Sequence, residues 1–565
     1  MGSVIHHSDP IHVWDVDAAI AMVKEELKDP MWLSSLIQTY LLDNPHRVQL
    51  TLIPDATKTK LEQDAEQEKL NKIDAELNDE QREVLKQRAV ELKQRQETED
   101  DLSLLPKVGL EDIPEELHIV RGVTKDIQHN GKPIPLHTYH AGTNGLYYNQ
   151  IIIEIPKEIL SSPYLSLLNV LMGEVGAGEY NYLELQQQQT AVSGGVGMGA
   201  SLRSGLNDKN EISAFLTLTT KALVDKTDAI ELLKVAFEQI RFDEKARIIE
   251  LLQQRKTRWH ARVSGSGHSY AMQIAARNMS ALAKRDYFCT GLGALNWLSE
   301  LIRTVEQDEK AYDSLIEGFK SIHQHLIHAP KQILLVCEDQ QSALLEKEVA
   351  DVWHTLSSTE AMVQLPKVNI ENTTGDEAWL VQTNVQFCAA AYEAVESSHP
   401  DAAPLMVLAG YLRNGFLHSA LREKGGAYGG GATYDGNSCA FKFFSYRDPR
   451  LTETFSDFEA SLTWLMTKEH KPHQLEEAIL GLIASMDKPG SPAGEAITAC
   501  YSMLHQRTPA FRTEMRSRIL AVTFDDLRRV AQQYLLDKKP VKGIVAPFAK
   551  REELQTLGFN IKQLN

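Results

Sequence analysis

At 565 residues and roughly 150 residues per domain, the chain is long enough for about three or four domains and several independent cores. Hydrophobic residues at 43% and charged residues at 24% are ordinary globular usage, which excludes collagen-like, purely coiled-coil and wholly disordered chains. Lys plus Arg at 59 against Asp plus Glu at 77 leaves a net charge of −18, so nucleic acid and anionic membranes are excluded as bulk partners and cationic peptides suit the chain better.

The first fifteen residues, MGSVIHHSDPIHVWD, carry neither a basic segment followed by an apolar one nor an Arg-rich, acid-poor transit pattern. Cytoplasm is therefore the expected compartment, with an organelle matrix open if a preceding segment supplies the signal. No apolar run approaches the ~20 residues of a membrane span. Residues 40–55 (YLLDNPHRVQLTLIPD) read as the end of an amphipathic helix, a polar turn with Pro, and a short strand. Residues 56–101 are rich in Lys, Glu, Gln, Asp and Arg around a narrow apolar stripe. Asn78 before Asp79, Glu80 and Gln81 forms an N-cap with a capping-box partner three residues on, so two helices meet near Leu77 as an antiparallel hairpin. The Pro-punctuated LLPKVGLEDIP at 104–114 ends this connector.

Residues 118–340 follow with strand NQIIIEIP (149–156), the stretch YLELQQQQTAVSGGVGMGASL (182–202), strand ISAFLTLTTKAL (212–223), long helices, and the closing unit HLIHAPKQILLVCED (325–339). Residues 377–548 repeat the order: a strand over AWLVQTNVQFCAAAYEA (378–394), a helix over APLMVLAGYLRNGFLHSALREK (403–424), a glycine-rich loop, strand CAFKFFSYRD (439–448), helices, and the closing unit YLLDKKPVKGIVAPF (534–548). The helix–turn–strand unit at 40–55 thus recurs twice, and helix–turn–strand units are also common by chance. The two later copies have about 200 residues ahead of them and the first only about 40, so the chain is expected to open inside a domain whose body is absent. The expected fold class is α+β. Two homologous domains, each an antiparallel-rich sheet covered by helices, are expected over 104–345 and 346–565, after a helical-hairpin linker at 56–103 and the tail of a preceding domain at 1–55.

Most catalytic signatures are missing from the sequence, including H-E-x-x-H, H-x-x-E-H, G-x-x-x-x-G-K-[ST] and G-x-S-x-G. HQLEE at 473–477 has Glu where a second ligand His would be needed and reads as a solvated helix. His323, His325 and His328 sit before a helix end, where the dipole favours imidazolium, and only His325 and His328 share a face. His137 and His140 point to opposite faces of one strand. Cys289, Cys337, Cys388, Cys439 and Cys500 form no C-x-x-C pair, which fits free thiols in a reducing compartment. SGGVGMGA at 193–200 lacks a following helix N-terminus to hold a phosphate, so strand bending or close packing accounts for its glycines.

LREKGGAYGGGATY at 421–434 is more specific. Arg422 falls in the last turn of a helix, Gly425 and Gly426 can end that helix, and Tyr428 sits on backbone kept slender by Gly429, Gly430 and Gly431. A phenol and a guanidinium so placed can converge on one developing oxyanion. The same string also reads as a helix C-cap with an exposed Arg–Glu pair and a structural tyrosine.

NPHRVQLTLIPD, the acidic hairpin, LLPKVGLEDIP, TNGLYY (143–148), SGSGH (264–268), LREKGGAYGGG and SYRDPRL (445–451) occur in one order along nearly the whole chain. In this the sequence resembles the C-terminal half of the presequence protease branch of the pitrilysin/insulinase zinc metallopeptidases. The resemblance implies four related α+β domains in two halves, joined by a helical hairpin and closed around unfolded oligopeptides. It implies zinc as cofactor, held by an inverted H-x-x-E-H in an N-terminal half that this chain does not contain, so no metal ligand is expected here. It further implies that Arg422 and Tyr428 hold substrate and stabilise the oxyanion across the chamber, with Gly425, Gly426 and Gly429 as substrate-binding backbone. The expected partners are oligopeptides and the N-terminal half, without which this chain is expected to be inactive. The alternative is a non-catalytic peptide-binding or assembly subunit of the same clan.

Overall fold

The computed structural model describes residues 2–53, 55, 57–98, 104, 106–129, 132–354 and 374–564. Residues 54, 56, 99–103 and 105, which belong to the first closing unit, the hairpin ends and the connector, lie outside the described residues, as do 355–373 near the start of the expected last domain. Two compact units are present, Met1–Pro106 and Lys107–Asn565.

In the first unit the helices Lys58–Glu76 and Asp79–Glu97 meet at Leu77 and Asn78. The Asn78 side chain accepts from the Gln81 N–H at 2.8 Å and the Gln81 side chain accepts from the Asn78 N–H at 3.0 Å, the expected capping box. The apolar stripe does not form a buried seam: Leu61 is 61% exposed and Leu85 47%. The strand expected in 40–55 is not formed, and Val48, Leu50, Leu52 and Ile53 stand exposed. An isolated strand cannot satisfy its backbone N–H and C=O groups, and no sheet is present among the described residues of this unit.

The second unit holds two six-stranded sheets. The first is built from β1 (Val123–His129), β2 (Lys132–His140), β3 (Leu146–Glu154), β4 (Val196–Ser204), β5 (Ile212–Leu223) and β6 (Lys331–Cys337), in the order β1-β2-β6-β3-β5-β4. The second is built from β7 (Glu377–Val381), β8 (Phe387–Glu393), β9 (Gly429–Asp435), β10 (Ala440–Tyr446), β11 (Val541–Pro547) and β12 (Asn560–Gln563), in the order β12-β7-β11-β8-β10-β9. β2-β6-β3-β5-β4 and β7-β11-β8-β10-β9 have the same parallel-then-antiparallel pairing, so the repeat seen in the sequence is a repeat of topology. The single strand expected over 378–394 is in fact β7 and β8. They flank β11 on opposite sides, one parallel and one antiparallel to it, so the chain must turn between them.

The two halves of this unit exchange helices. Gly267–Ala276 belongs in sequence to the first half but lies on β8, β10 and β11. The contact is close: a Cβ at Gly267 would come within 2.3 Å of the Phe387 ring, and one at Gly543 within 2.3 Å of the Ala271 carbonyl oxygen. Small residues are therefore required on both surfaces, which explains Gly267 in SGSGH and the buried Ala271 and Ala275. In return, Pro492–Leu504 lies on the first sheet, where Ala493, Ala496 and Cys500 join Ile152, Leu334 and Val336 in one apolar cluster. All five cysteines are buried and free.

Candidate functional site

The helix expected over 403–424 is α-helical over Ala402–Leu412 and continues as a π-helix over Arg413–Lys424. The wider turn keeps Leu417 and Leu421, four residues apart, both buried on one side, and sets Gly415 against Trp464, where a Cβ would lie 2.5 Å from the ring. Arg422 falls in its last turn. The Gly426 and Ala427 N–H groups donate to the Arg422 and Leu421 carbonyls at 3.2 and 2.9 Å, and Gly426 takes φ +77°, the left-handed conformation that ends the helix.

The chain then enters β9. The Tyr428 N–H donates to the Tyr446 and Arg447 carbonyls at 3.0 and 3.3 Å, fixing its backbone to the end of β10. Arg447 itself has φ +50°, uncommon without glycine, and this turn brings its carbonyl under Tyr428. The phenol is left 68% exposed, and the Arg422 guanidinium carbon lies 6.0 Å from its ring centroid. Among the described residues no carboxylate pairs with Arg422 and nothing bonds the Tyr428 hydroxyl. The Arg–Glu pair of the blander reading is absent: Glu423 accepts from Ser419 Oγ at 2.6 Å and lies 3.7 Å from His418. Two donors thus face outward, uncommitted, from one rigid loop.

The predicted glycines fall into different environments. Gly425 is buried, and a Cβ there would meet Arg450 at 1.9 Å, so it serves close packing. Gly426 serves the turn. At Gly429 a Cβ would meet nothing within 4 Å, so only this one leaves room for an approaching backbone.

Sequence reasoning assigned no role to the residues that brace this loop. Arg450 Nη2 binds Asp457 at 2.8 Å, reaches the Ala420 carbonyl at 3.5 Å, and packs on Gly425. Fully buried Asp448 accepts from the Arg450 N–H at 2.9 Å and from Thr454 Oγ1 at 2.7 Å. The signal was the alternation of charge around Pro in SYRDPRL. Tyr446 of the same motif packs edge-on against Tyr428 at 5.7 Å and against His268 of SGSGH at 5.0 Å. Three motifs distant in sequence therefore meet in one place. Burial lowers the His268 pKa below the ordinary histidine value, and its Nδ1 is buried without a partner.

No group of three or more His, Cys, Asp and Glu side chains among the described residues could hold a metal ion. His323 Nε2 meets the Phe237 carbonyl of the helix Asp228–Glu238 at 2.7 Å, tying two helices together, and His325 and His328 meet the carbonyls of Ser321 and Gln324 within their own helix. Zinc does not fit this donor set. No helix among the described residues is long and apolar enough to cross a membrane.

Comparison with known proteins supplies the wider frame. Residues 52–301 match the family model of the associated region of peptidase family M16, subfamily C, and residues 376–548 match "PreP C-terminal domain". The presequence protease, mitochondrial, of Yarrowia lipolytica is 28% identical over 539 residues, covering 94% of this chain and 53% of that protein. Presequence protease 1, chloroplastic/mitochondrial, of Arabidopsis thaliana is 26% identical and covers 92% of this chain and 48% of that protein. The chain thus spans about half the length of the curated relatives it matches. Among solved structures, a protease from Helicobacter pylori aligns with TM-score 0.55 at 13% identity, covering 76% of this chain and 100% of that one. Pitrilysin aligns with TM-score 0.52 at 12% identity, covering 78% of this chain and 45% of that one. At these identities the structural matches speak for the fold alone.

Proposed function

Because the chain belongs to the presequence protease branch of the pitrilysin-type peptidases, we propose that it is the part of an oligopeptide-degrading endopeptidase that holds substrate and stabilises the oxyanion, through Arg422 and Tyr428. The observation that carries this reading is the pair of donors on one braced, glycine-flanked loop, the Arg422 guanidinium carbon 6.0 Å from the Tyr428 ring centroid. When a peptide carbonyl is attacked, its oxygen gains negative charge. A phenol O–H and a guanidinium N–H already aimed outward can donate to that oxygen without first breaking other bonds, which is what makes preorganised donors effective. Gly429 leaves space for the substrate backbone beside them.

Metal-activated water is the chemistry the family resemblance implies for the remainder of the protein. Since no residue set among the described residues fits zinc, no step is routed through it here. The names of the relatives carry mitochondrial and chloroplastic locations, which supports an organelle matrix over the cytoplasm as the compartment.

Tyr428→Phe, made in the protein assembled with its remaining half, should lower turnover of an oligopeptide roughly 10- to 1000-fold with little change in melting temperature, since one oxyanion donor is worth about 2–4 kcal/mol. Unchanged turnover would return Tyr428 to a structural role and favour a peptide-binding or assembly subunit.

A further inference from the structure

The glycine-rich stretch at 193–200, which leads into β4, is not used by the loop just described, yet it borders a cavity of about 510 Å³. Val196, Gly197 and Met198 of β4 form one wall, and the helix Lys245–Val263 forms the other. That helix presents Arg255, Arg258 and Arg262 into the cavity at spacings of three and four, which place them on one helical face. Three guanidinium groups converge in a chain whose net charge is −18.

Nothing in the cavity neutralises them. Among the described residues no carboxylate pairs with Arg255, Arg258 or Arg262, and the acidic lining residue Glu174 is held by Arg247 at 3.0 Å. Arg255 Nε is buried without an acceptor. Burial above all, then the charges of Arg262 and Arg258 against an opposing effect of Tyr270, lowers the Arg255 pKa. The guanidinium of Arg255 lies 5.0 Å from the Trp259 ring centroid, and Trp259 Nε1 donates to the Tyr270 hydroxyl at 2.8 Å, so the floor under the arginines is rigid.

β4 is also an edge. Among the described residues it pairs with β5 on one side only; the N–H groups at its two ends, Val196 and Ser204, are taken by Gln189 Oε1 and Asn437 Oδ1, each at 3.3 Å, and no strand covers the stretch between them. A Cβ at Gly199 would meet nothing within 4 Å, which lets another backbone come close. Tyr270 stands on the helix Gly267–Ala276, whose His268 packs on Tyr446 and through it on Tyr428. His268 and Tyr270 lie two residues apart in the first turn of that helix, so one short segment carries both a wall of the cavity and a support of the proposed oxyanion donors.

We propose that this cavity binds a carboxylate of an extended peptide, an acidic side chain or the C-terminus, with Arg255, Arg258 and Arg262 as its ligands and β4 as the strand beside which the peptide lies. Guanidinium forks suit carboxylates in two-point contact, and strand addition supplies sequence-independent affinity. The occupant, a peptide, rests on the peptidase reading; the anion site itself does not.

The test measures fluorescence anisotropy of labelled ten-residue peptides on the purified chain alone. One peptide ends in Asp-Glu with a free C-terminus, and its counterpart ends in Asn-Gln-amide. The acidic peptide is expected to bind about 10- to 100-fold more tightly, the range of one or two charge-assisted hydrogen bonds, and to weaken with salt. The advantage should vanish in Arg258→Gln/Arg262→Gln, two exposed positions whose replacement should leave circular dichroism and melting unchanged. Equal affinities, or an advantage that survives the double substitution, would overturn the proposal. So would inorganic phosphate alone competing as well as the peptide does, since the cavity would then be a plain anion site. Binding needs no turnover, so unchanged turnover in Tyr428→Phe would sink the proposed function and leave this site standing.

Discussion

β4 and β9 hold the same position in two sheets of the same topology, and each follows a helix and a glycine in the left-handed region, Gly195 at φ +101° and Gly426 at φ +77°. Their chemistry differs. Ahead of β9 the helix and turn bring Arg422 and Tyr428 to the surface, whereas ahead of β4 the corresponding stretch, QQQQTAVSGG, brings neither, and the cations come from a different helix. The common fold therefore supplies a glycine-thinned edge beside which a peptide backbone fits, and side chains from outside the strand decide what that edge does with it.

The two edges are also braced differently. Under β9 the brace is a set of ion pairs, Arg450 with Asp448 and Asp457. Beside β4 the brace is an imidazole, His505, which meets Ser201 on β4 and Ser213 on β5, each at 2.8 Å. That difference is the one to break first.

After Tyr428→Phe, the largest expected effect is from Arg450→Ala. It leaves Asp448 buried without its cation, which should cost about 3 kcal/mol of stability, and frees the loop carrying Tyr428. Turnover of the assembled enzyme should fall while peptide binding at the β4 cavity is unchanged. Loss of both together would mean the two edges are not independent.

Gly543→Ala strikes the surface where the exchanged helix lies on the second sheet. A new methyl 2.3 Å from the Ala271 carbonyl should cost about 1–3 kcal/mol, seen as a lower urea midpoint at unchanged slope.

Burial, with the charges of Arg203 and Arg507, lowers the His505 pKa from 6.5 to about 4. The unfolded chain takes up a proton as pH falls through 6.5 and the folded one does not. The contribution of His505 is therefore complete above pH 6.5 and is lost progressively down to about pH 4, up to roughly 3 kcal/mol. His505→Gln should flatten that part of the stability–pH curve, and acid should loosen the β4 edge before the β9 edge in hydrogen exchange. Equal loosening of both would refute the titrating brace. The smallest effect is expected from Asn78→Ala, which removes a helix cap in the first unit for about 1 kcal/mol and should move neither edge.

Much of this was legible in the sequence because it rests on local chemistry. The capping box at Asn78, strand β5, the closing units that become β6 and β11, and the loop carrying Arg422 and Tyr428 all follow from periodicity, capping and turn residues a few positions apart. Short-range geometry leaves its mark on neighbouring residues. The misses share the opposite cause. Residues 40–55 carry a strand pattern that no pairing among the described residues realises, and residues 378–394 divide in two because β11, about 150 residues away, passes between the halves. Gly267 against Phe387, Tyr446 between His268 and Tyr428, Arg450 under Gly425, and three arginines facing an unpaired strand edge are all contacts between segments far apart in sequence. The sequence by itself determined the α+β class and the repeat, and it singled out the loop of Arg422 and Tyr428 while leaving open whether the pair was functional or structural. Only the tertiary structure decided what braces that pair and where positive charge gathers, because packing and electrostatics act through space and leave no fixed spacing along the chain.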